Sequence, residues 1–142
     1  MIEGGIKVDD RVWEDLRRAA EDVRAHAHVP YSGFAVGAAL LGDDGRIYSG
    51  CNVENASYGL TICAERAAVA NMVGAGGRAI AAVFVVADAD RPVPPCGACR
   101  QVLQEFAPAR APLRMANLQG AVQDASLGQL LPFAFSKEDL DS

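Results

Sequence analysis

Two short cysteine segments constrain this chain more than any other feature. The first is Cys63-Ala64-Glu65, and the second is Pro95-Cys96-Gly97-Ala98-Cys99. A structural zinc site is closed by four protein ligands, whereas a catalytic one has three and leaves the fourth position to water. Glu65 lies two residues beyond Cys63, close enough to reach such a water without ligating the metal. The pattern predicts one catalytic zinc per chain, with Cys63, Cys96 and Cys99 as its ligands.

The composition narrows the classes of protein that this chain can belong to. Its 142 residues fit one domain over 1–142, and 51% hydrophobic residues suffice for a core. A formal net charge of −5 disfavours a nucleic acid or an anionic membrane as partner. No apolar run is long enough to span a bilayer. Residues 1–10 lack the basic and apolar regions of a signal peptide, and four cysteines then suggest metal or chemistry rather than disulfides. A cytoplasmic protein is predicted.

The spacing of apolar residues predicts an α/β protein built on a layered sheet. A helix comes first, followed by a hairpin around Gly42-Asp43-Asp44-Gly45, and then helices alternate with strands. The predicted helices cover 9–28, 61–74, 97–106 and 127–131, and the predicted strands cover 34–41, 46–53, 79–87, 112–118 and 120–126. His26 and His28 are interpreted as residues at a helix end, and Cys51 as a small buried strand residue.

The second predicted helix has hardly any polar face. Its apolar residues are Ile62, Ala64, Ala67, Ala68, Val69, Ala70, Met72 and Val73. A helix that is apolar nearly all round is buried on all sides. In a chain of this size, we therefore expect the helix at the centre of the molecule or at the centre of an oligomer.

The predicted zinc site assigns a role to each neighbouring group. Amide groups at the starts of two helices favour thiolates, and Arg66 is placed to offset the negative charge of three of them. Water bound to zinc can ionise near neutral pH, with a pKa of about 7 instead of 15.7. Glu65 is predicted to take the proton from that water and to deliver it to the substrate.

The two cysteine segments are more informative together than apart. A single C-x-x-C fits a redox pair or half of a structural zinc site equally well. Both segments together, each opening a helix, favour a catalytic zinc. A non-catalytic zinc-stabilised interaction domain is the alternative from another class, but it has no use for an unliganded glutamate at position 65.

Several further segments resemble cytidine deaminase in its short, three-cysteine form, over most of the chain from about Pro30 onwards. They are 34–38 (FAVGA), 50–55 (GCNVEN), 63–66 (CAER), 95–101 (PCGACRQ), 130–132 (LLP) and 134–135 (AF). The resemblance implies a three-layer α/β/α fold with a mixed central sheet of about five strands. It also implies zinc-dependent hydrolytic deamination of cytidine and deoxycytidine, a reaction of pyrimidine salvage.

The same resemblance implies roles for particular residues. Cys63, Cys96 and Cys99 would ligate zinc, Glu65 would shuttle protons, and Arg66 would lie near the thiolates. The implied substrate contacts are Phe34 against the base, Asn52 and Glu54 at the sugar hydroxyl, and the Ala64 main chain at the base. The short form is a homotetramer with active sites shared between subunits, and Tyr58 and Phe135 match the positions that reach a neighbour.

Departures and alternatives accompany the resemblance. Phe133 and Pro94 differ from the residues common at those positions. Without the resemblance, Phe34 would be a core residue, Tyr58 a loop aromatic, Phe135 a plug over the core, and Arg66 and Arg100 surface charges. The runner-up function is deamination of another aminopyrimidine nucleoside, such as blasticidin S. A nucleic-acid editing enzyme is disfavoured by the charge, and the free nucleoside is predicted as substrate rather than its 5′-phosphate.

Overall fold

A mixed sheet is the framework of this computed structural model, which describes residues 7–141. Within that range the sheet has five strands in the order β2-β1-β3-β4-β5. The strands are β1 (Val36–Gly42), β2 (Ile47–Cys51), β3 (Ile80–Ala87), β4 (Pro112–Asn117) and β5 (Val122–Ser126), and the helices are α1 (Asp10–Arg24), α2 (Ala64–Gly74), α3 (Gly97–Phe106), α4 (Leu127–Leu130) and α5 (Lys137–Asp141). Only β3 and β4 pair in parallel; the other neighbours are antiparallel.

Helices cover both faces of the sheet because the central strands are apolar on both sides. Alternate residues of β1 and β3 point to opposite faces. Leu40 and Val85 belong to the apolar cluster that includes Met72 of α2 and Leu103 of α3. Phe84 belongs to the cluster on the opposite face, with Trp13 and Leu16 of α1. The three-layer α/β/α arrangement with a mixed five-stranded sheet is confirmed.

Glycine allows two of the helices to lie directly against the sheet. A Cβ at Gly50 of β2 would lie 2.3 Å from the backbone nitrogen of Ala68 in α2. A Cβ at Gly37 of β1 would lie 2.0 Å from the carbonyl oxygen of Ala20 in α1. Neither position has room for a side chain. The backbone of α2 therefore packs directly against β2, and this helix begins next to Cys63.

Two predicted helix ends were wrong, for one shared reason. Helix α1 ends at Arg24 rather than at 28, because the His28 amide donates to the Asn52 carbonyl oxygen. Helix α2 begins at Ala64 rather than at 61, because Ile62 forms a bridge with Val53. In both cases a contact distant in sequence holds the chain extended, which local periodicity does not reveal. Helix α5, over 137–141, was not predicted.

Helix α2 is buried along only one side of the single chain. Ala64, Ala68 and Met72 are buried against the sheet and α3, whereas Ala70 is exposed and Val73 is half-buried. The expectation of burial on all sides is therefore not met within one chain. An apolar surface remains on this helix.

Cys51 was predicted to be a small buried strand residue; it lies at the end of β2 and is half-buried. None of the helices that the structure describes is long and apolar enough to cross a membrane. The prediction about residues 1–10 falls partly on 1–6, which lie outside the described residues.

Candidate active site

Three cysteine sulfurs meet where the N-terminal ends of two helices come together. Cys63 is the N-cap residue of α2, and Cys96 is the N-cap residue of α3 with Cys99 in the first turn. The sulfurs of Cys96 and Cys99 are 3.2 Å apart, and those of Cys63 and Cys96 are 3.8 Å apart. The ligand atoms of all three residues lie within 4.8 Å of one another. The fold thus brings together the predicted metal ligands from segments more than thirty residues apart.

Arg66 faces this cluster from the first turn of α2. Its Nη2 atom donates to the Cys63 sulfur at 3.6 Å and to the Thr61 carbonyl oxygen at 3.2 Å. Its Nε atom is the single buried side-chain nitrogen or oxygen without a hydrogen-bond partner among residues 7–141. Arg66 is half-buried, and its guanidinium lies within reach of the Cys63 sulfur, which is a position suited to a group that stabilises thiolates.

The thiols respond differently to their surroundings. Burial, together with the Glu65 carboxylate, raises the pKa of the Cys99 thiol. Burial also opposes ionisation of Cys96, but hydrogen bonds from the Cys99 amide and the neighbouring thiols outweigh it and lower the pKa of Cys96. A bound divalent cation would replace the thiol protons and stabilise the thiolates.

The cluster fits a zinc ion by its donor chemistry and its spacing. Sulfur ligands suit zinc, and two thiolates of a tetrahedral site at Zn–S ≈ 2.3 Å stand about 3.8 Å apart. The Cys63–Cys96 separation is 3.8 Å, and Cys96 and Cys99 need only a small adjustment from 3.2 Å. Three protein ligands leave a fourth position open for catalysis.

Glu65 is a buried carboxylate beside the cysteines. It is 4% exposed, and burial raises its pKa above the usual range. Glu65 also lines a cavity of about 270 Å³ together with Cys63 and Cys96. A raised pKa favours holding a proton, and the position at the cavity wall allows that proton to be exchanged with a bound molecule.

The same cavity extends from the cysteines to the turn that precedes β1. We call the wall formed by Cys63, Glu65 and Cys96 the cysteine side, and the wall formed by Ser32, Phe34, Asn52 and Glu54 the turn side. The remaining lining residues are Val36, Thr61, Ala64, Val85, Ala87, Val93 and Pro94. Small-molecule pockets range upwards from about 300 Å³, so this cavity suits a compact ligand.

The predicted sugar contacts, Asn52 and Glu54, both bind the backbone of the turn side. The Asn52 amide accepts from the Val36 amide at 2.9 Å and donates to the Phe34 carbonyl oxygen at 2.8 Å. Glu54 accepts from the backbone amides of Tyr31 and Ser32 at 3.0 and 3.1 Å. Both residues line the cavity, and their side-chain hydrogen bonds also hold its wall in place.

The four other predicted substrate contacts lie in different surroundings. Phe34 precedes β1, lines the cavity and is 38% exposed, so it is not a core residue at the start of a strand. Ala64 is buried and lines the cavity. Tyr58 and Phe135 are 76% and 57% exposed and do not line the cavity of their own chain.

Arg100 has a role that the sequence did not reveal. Its Nε atom donates to the Pro95 carbonyl oxygen at 2.8 Å, and its Nη1 atom donates to the Leu130 carbonyl oxygen at 2.9 Å. The neighbouring Gln101 donates to the Phe135 carbonyl oxygen at 2.8 Å. These contacts connect the segment that carries Cys96 to the C-terminal segment of the chain. The adjacency of Arg100 to Cys99 was the only available signal.

A buried carboxylate beside three clustered cysteines, at one end of a cavity in an α/β/α fold, defines the class of zinc-dependent deaminases. Comparison with known protein families supports the assignment to this class. Residues 11–115 match the model of the cytidine and deoxycytidylate deaminase zinc-binding region. The chain belongs to this family, and zinc is its cofactor.

Relatives of known name are similar over nearly their full length. A cytidine deaminase of Sporosarcina psychrophila is 51% identical over 127 residues, which cover 89% of this chain and 93% of the relative. A cytidine deaminase of Halalkalibacterium halodurans is 52% identical over 126 residues, covering 89% and 96%. The crystal structure of cytidine deaminase from Burkholderia pseudomallei superposes with a TM-score of 0.83 at 48% identity, covering 86% of this chain and 98% of the other.

Proposed function

We propose that this chain catalyses the hydrolytic deamination of cytidine and deoxycytidine to uridine and deoxyuridine, with release of ammonia. The observation that carries the proposal is a single cavity lined by Glu65, two of the clustered cysteines, and the polar pair Asn52 and Glu54. The names of relatives at about half identity favour cytidine over other aminopyrimidines.

The proposed metal ligands are Cys63, Cys96 and Cys99. Zinc bound there supplies a water molecule of lowered pKa as the nucleophile. Arg66 compensates thiolate charge through its contact with Cys63. The N-terminal ends of α2 and α3 add favourable dipoles at the same sulfurs.

Glu65 is the proposed proton shuttle. It accepts a proton from the nucleophilic water and delivers it to the ring nitrogen next to the amino-bearing carbon. A new carbon–oxygen bond forms at that carbon. Glu65 then takes the second proton of the original water from the new hydroxyl group and passes it to the amino group, so that the carbon–nitrogen bond breaks, ammonia leaves and the oxygen becomes the ring carbonyl. The burial of Glu65 supports this role because it makes the protonated form accessible.

The turn side is the proposed place for the rest of the nucleoside. Phe34 would lie against the base, and the main chain of Ala64 would hydrogen-bond to it. Asn52 and Glu54 would receive a sugar hydroxyl. The supporting observation is that all four residues line the same cavity as Glu65.

We also propose a homotetramer whose active sites are completed by neighbouring subunits, with Tyr58 and Phe135 reaching the neighbour. Tyr58 and Leu60 are 76% and 67% exposed, and Ala70 of α2 adds exposed apolar surface. Surfaces of this kind mark association sites. Sedimentation of the active protein should give the mass of four chains, and a fully active monomer would contradict the proposal.

Residues 1–142 are proposed to act as one catalytic domain in the cytoplasm.

The decisive assay incubates the purified zinc-loaded protein with cytidine and, separately, with deoxycytidine. Loss of ultraviolet absorbance should accompany formation of uridine or deoxyuridine and one equivalent of ammonia. Blasticidin S serves as the competing substrate in a parallel reaction. A zinc-loaded protein that deaminates blasticidin S but neither cytidine nor deoxycytidine would replace the proposal with the runner-up.

A further inference from the structure

The Glu54 carboxylate is held by two consecutive residues of the turn before β1. Its Oε1 atom accepts from the backbone amides of Tyr31 and Ser32 at 3.0 and 3.1 Å. Its Oε2 atom accepts from the Ser32 hydroxyl in a short hydrogen bond. The Ser32 hydroxyl also lowers the pKa of Glu54, so the carboxylate stays ionised. One side-chain contact, that from Ser32, therefore supplements two main-chain contacts.

The same hydroxyl also reaches Phe34. The Phe34 backbone amide donates to the Ser32 oxygen at 3.0 Å, so this single oxygen bridges Glu54 and the main chain of Phe34. Ser32, Phe34 and Glu54 all line the cavity. The cavity wall consequently depends on a hydroxyl that both donates and accepts, a combination that only serine or threonine supplies in a side chain this short.

We propose that Ser32 is a positioning residue for recognition of the sugar hydroxyls, acting through Glu54 and Phe34. This inference rests on the proposed function. A glutamate side chain loses rotamer freedom when it is ordered. Because Ser32 orders the carboxylate in the free protein, less of that loss falls on substrate binding. The effect is on binding, since Ser32 is on the turn side and Glu65 acts on the cysteine side.

The test compares Ser32→Ala with Ser32→Thr on two substrates. Cytidine carries both ring hydroxyls of the sugar, whereas 2′,3′-dideoxycytidine carries neither. Ser32→Ala should raise KM for cytidine about tenfold with kcat within twofold, as expected for a lost hydrogen bond to a charged group. For 2′,3′-dideoxycytidine, KM should change less than twofold. Ser32→Thr keeps both hydrogen bonds and should restore KM for cytidine to within threefold of wild type.

Two controls separate positioning from a general loss of structure. Ser57 is exposed, and its side chain makes no capping hydrogen bond, so Ser57→Ala should leave both KM values unchanged. In a Glu54→Ala background, Ser32→Ala should change KM for cytidine less than twofold, because the carboxylate that the hydroxyl orders has been removed.

Equal rises in KM for the two nucleosides, or an undiminished effect in the Glu54→Ala background, would overturn the role of Ser32. A wild-type protein that turns over neither nucleoside would overturn the proposed function itself, and this inference with it. Active wild-type protein with no change in Ser32→Ala would overturn only the inference.

Discussion

On the cysteine side of the cavity, Cys63 and Cys96 come from the N-terminal ends of two helices that pack against each other and the sheet. On the turn side, Phe34 belongs to an irregular segment that is held by side chains reaching across from the residues after β2. Glu65 is 4% exposed, whereas Phe34 is 38% exposed. The wall proposed for the chemistry and the wall proposed for substrate recognition therefore differ in backbone regularity and in exposure.

This contrast suggests that the two sides of the cavity have different functions. Groups that exchange protons and hold a metal lie on regular elements, where the backbone is fixed by helical hydrogen bonds and core packing. Groups that recognise a ligand lie on a turn, where a few side-chain hydrogen bonds set the geometry. Substitutions on the cysteine side should change kcat, and substitutions on the turn side should change KM.

Glu65→Gln should have the largest effect. The amide cannot accept a proton, so kcat should fall by at least about 10²–10⁴-fold while zinc content and thermal unfolding stay near wild type. Steady-state kinetics with cytidine and metal analysis measure these quantities. Glu105→Gln on the exposed side of α3 is the matched control and should retain full activity. A Glu65→Gln enzyme within tenfold of wild type would contradict the shuttle role.

Gly50→Ala should destabilise the packing of helix α2 against strand β2, which supports the cysteine side of the cavity. The new Cβ would lie 2.3 Å from the Ala68 backbone nitrogen, so α2 must move away from β2. We expect a loss of about 3 kcal/mol in the free energy of unfolding, seen as a fall of about 6–12 °C in the melting temperature.

The control for that variant is Gly74→Ala, at the end of the helix α2 that packs on β2. A Cβ at Gly74 would meet nothing within 4 Å, so stability should change by less than about 1 kcal/mol, in the stabilising direction. Equal melting temperatures for Gly50→Ala and Gly74→Ala would show that the close approach of α2 to β2 does not contribute to the stability of the fold.

The turn side should discriminate strongly against cytidine 5′-monophosphate. Within residues 7–141, the side chains lining the cavity include no lysine or arginine, and Glu54 would repel a phosphate. A phosphate adds about −1.5 to −2 charges. We expect kcat/KM for the monophosphate to be at least about a hundredfold lower than for cytidine, or about 2.7 kcal/mol. Comparable values would reveal a phosphate pocket and would reassign the turn side.

Cys51→Ser should have the smallest effect. Cys51 lies at the end of β2 and is not part of the group of three cysteines that could hold a metal. One zinc per chain should remain, with kcat/KM for cytidine within about twofold of wild type because a single hydroxyl replaces a half-buried sulfur. Metal analysis would contradict the ligand assignment if this variant lost its zinc.

The cysteine side could be read from the sequence because its signals are local. A cysteine at a helix start, a second three residues later, and a glutamate two residues after the first ligand are all short-range patterns. The layered sheet was equally accessible, since β1 and β3 are apolar runs with clear boundaries. The burial of Glu65 was not predicted, because it depends on how α2 packs against the sheet.

The turn side depends on contacts that only the tertiary structure decided. Ser32 and Glu54 are 22 residues apart, and Phe34 and Asn52 are 18 apart. Such hydrogen bonds exist because strand pairing and helix packing bring distant segments within reach, and no local spacing encodes them. The residue types at these positions were visible in the sequence. Their partners were not, because a hydrogen bond acts over about 3 Å in space regardless of separation along the chain.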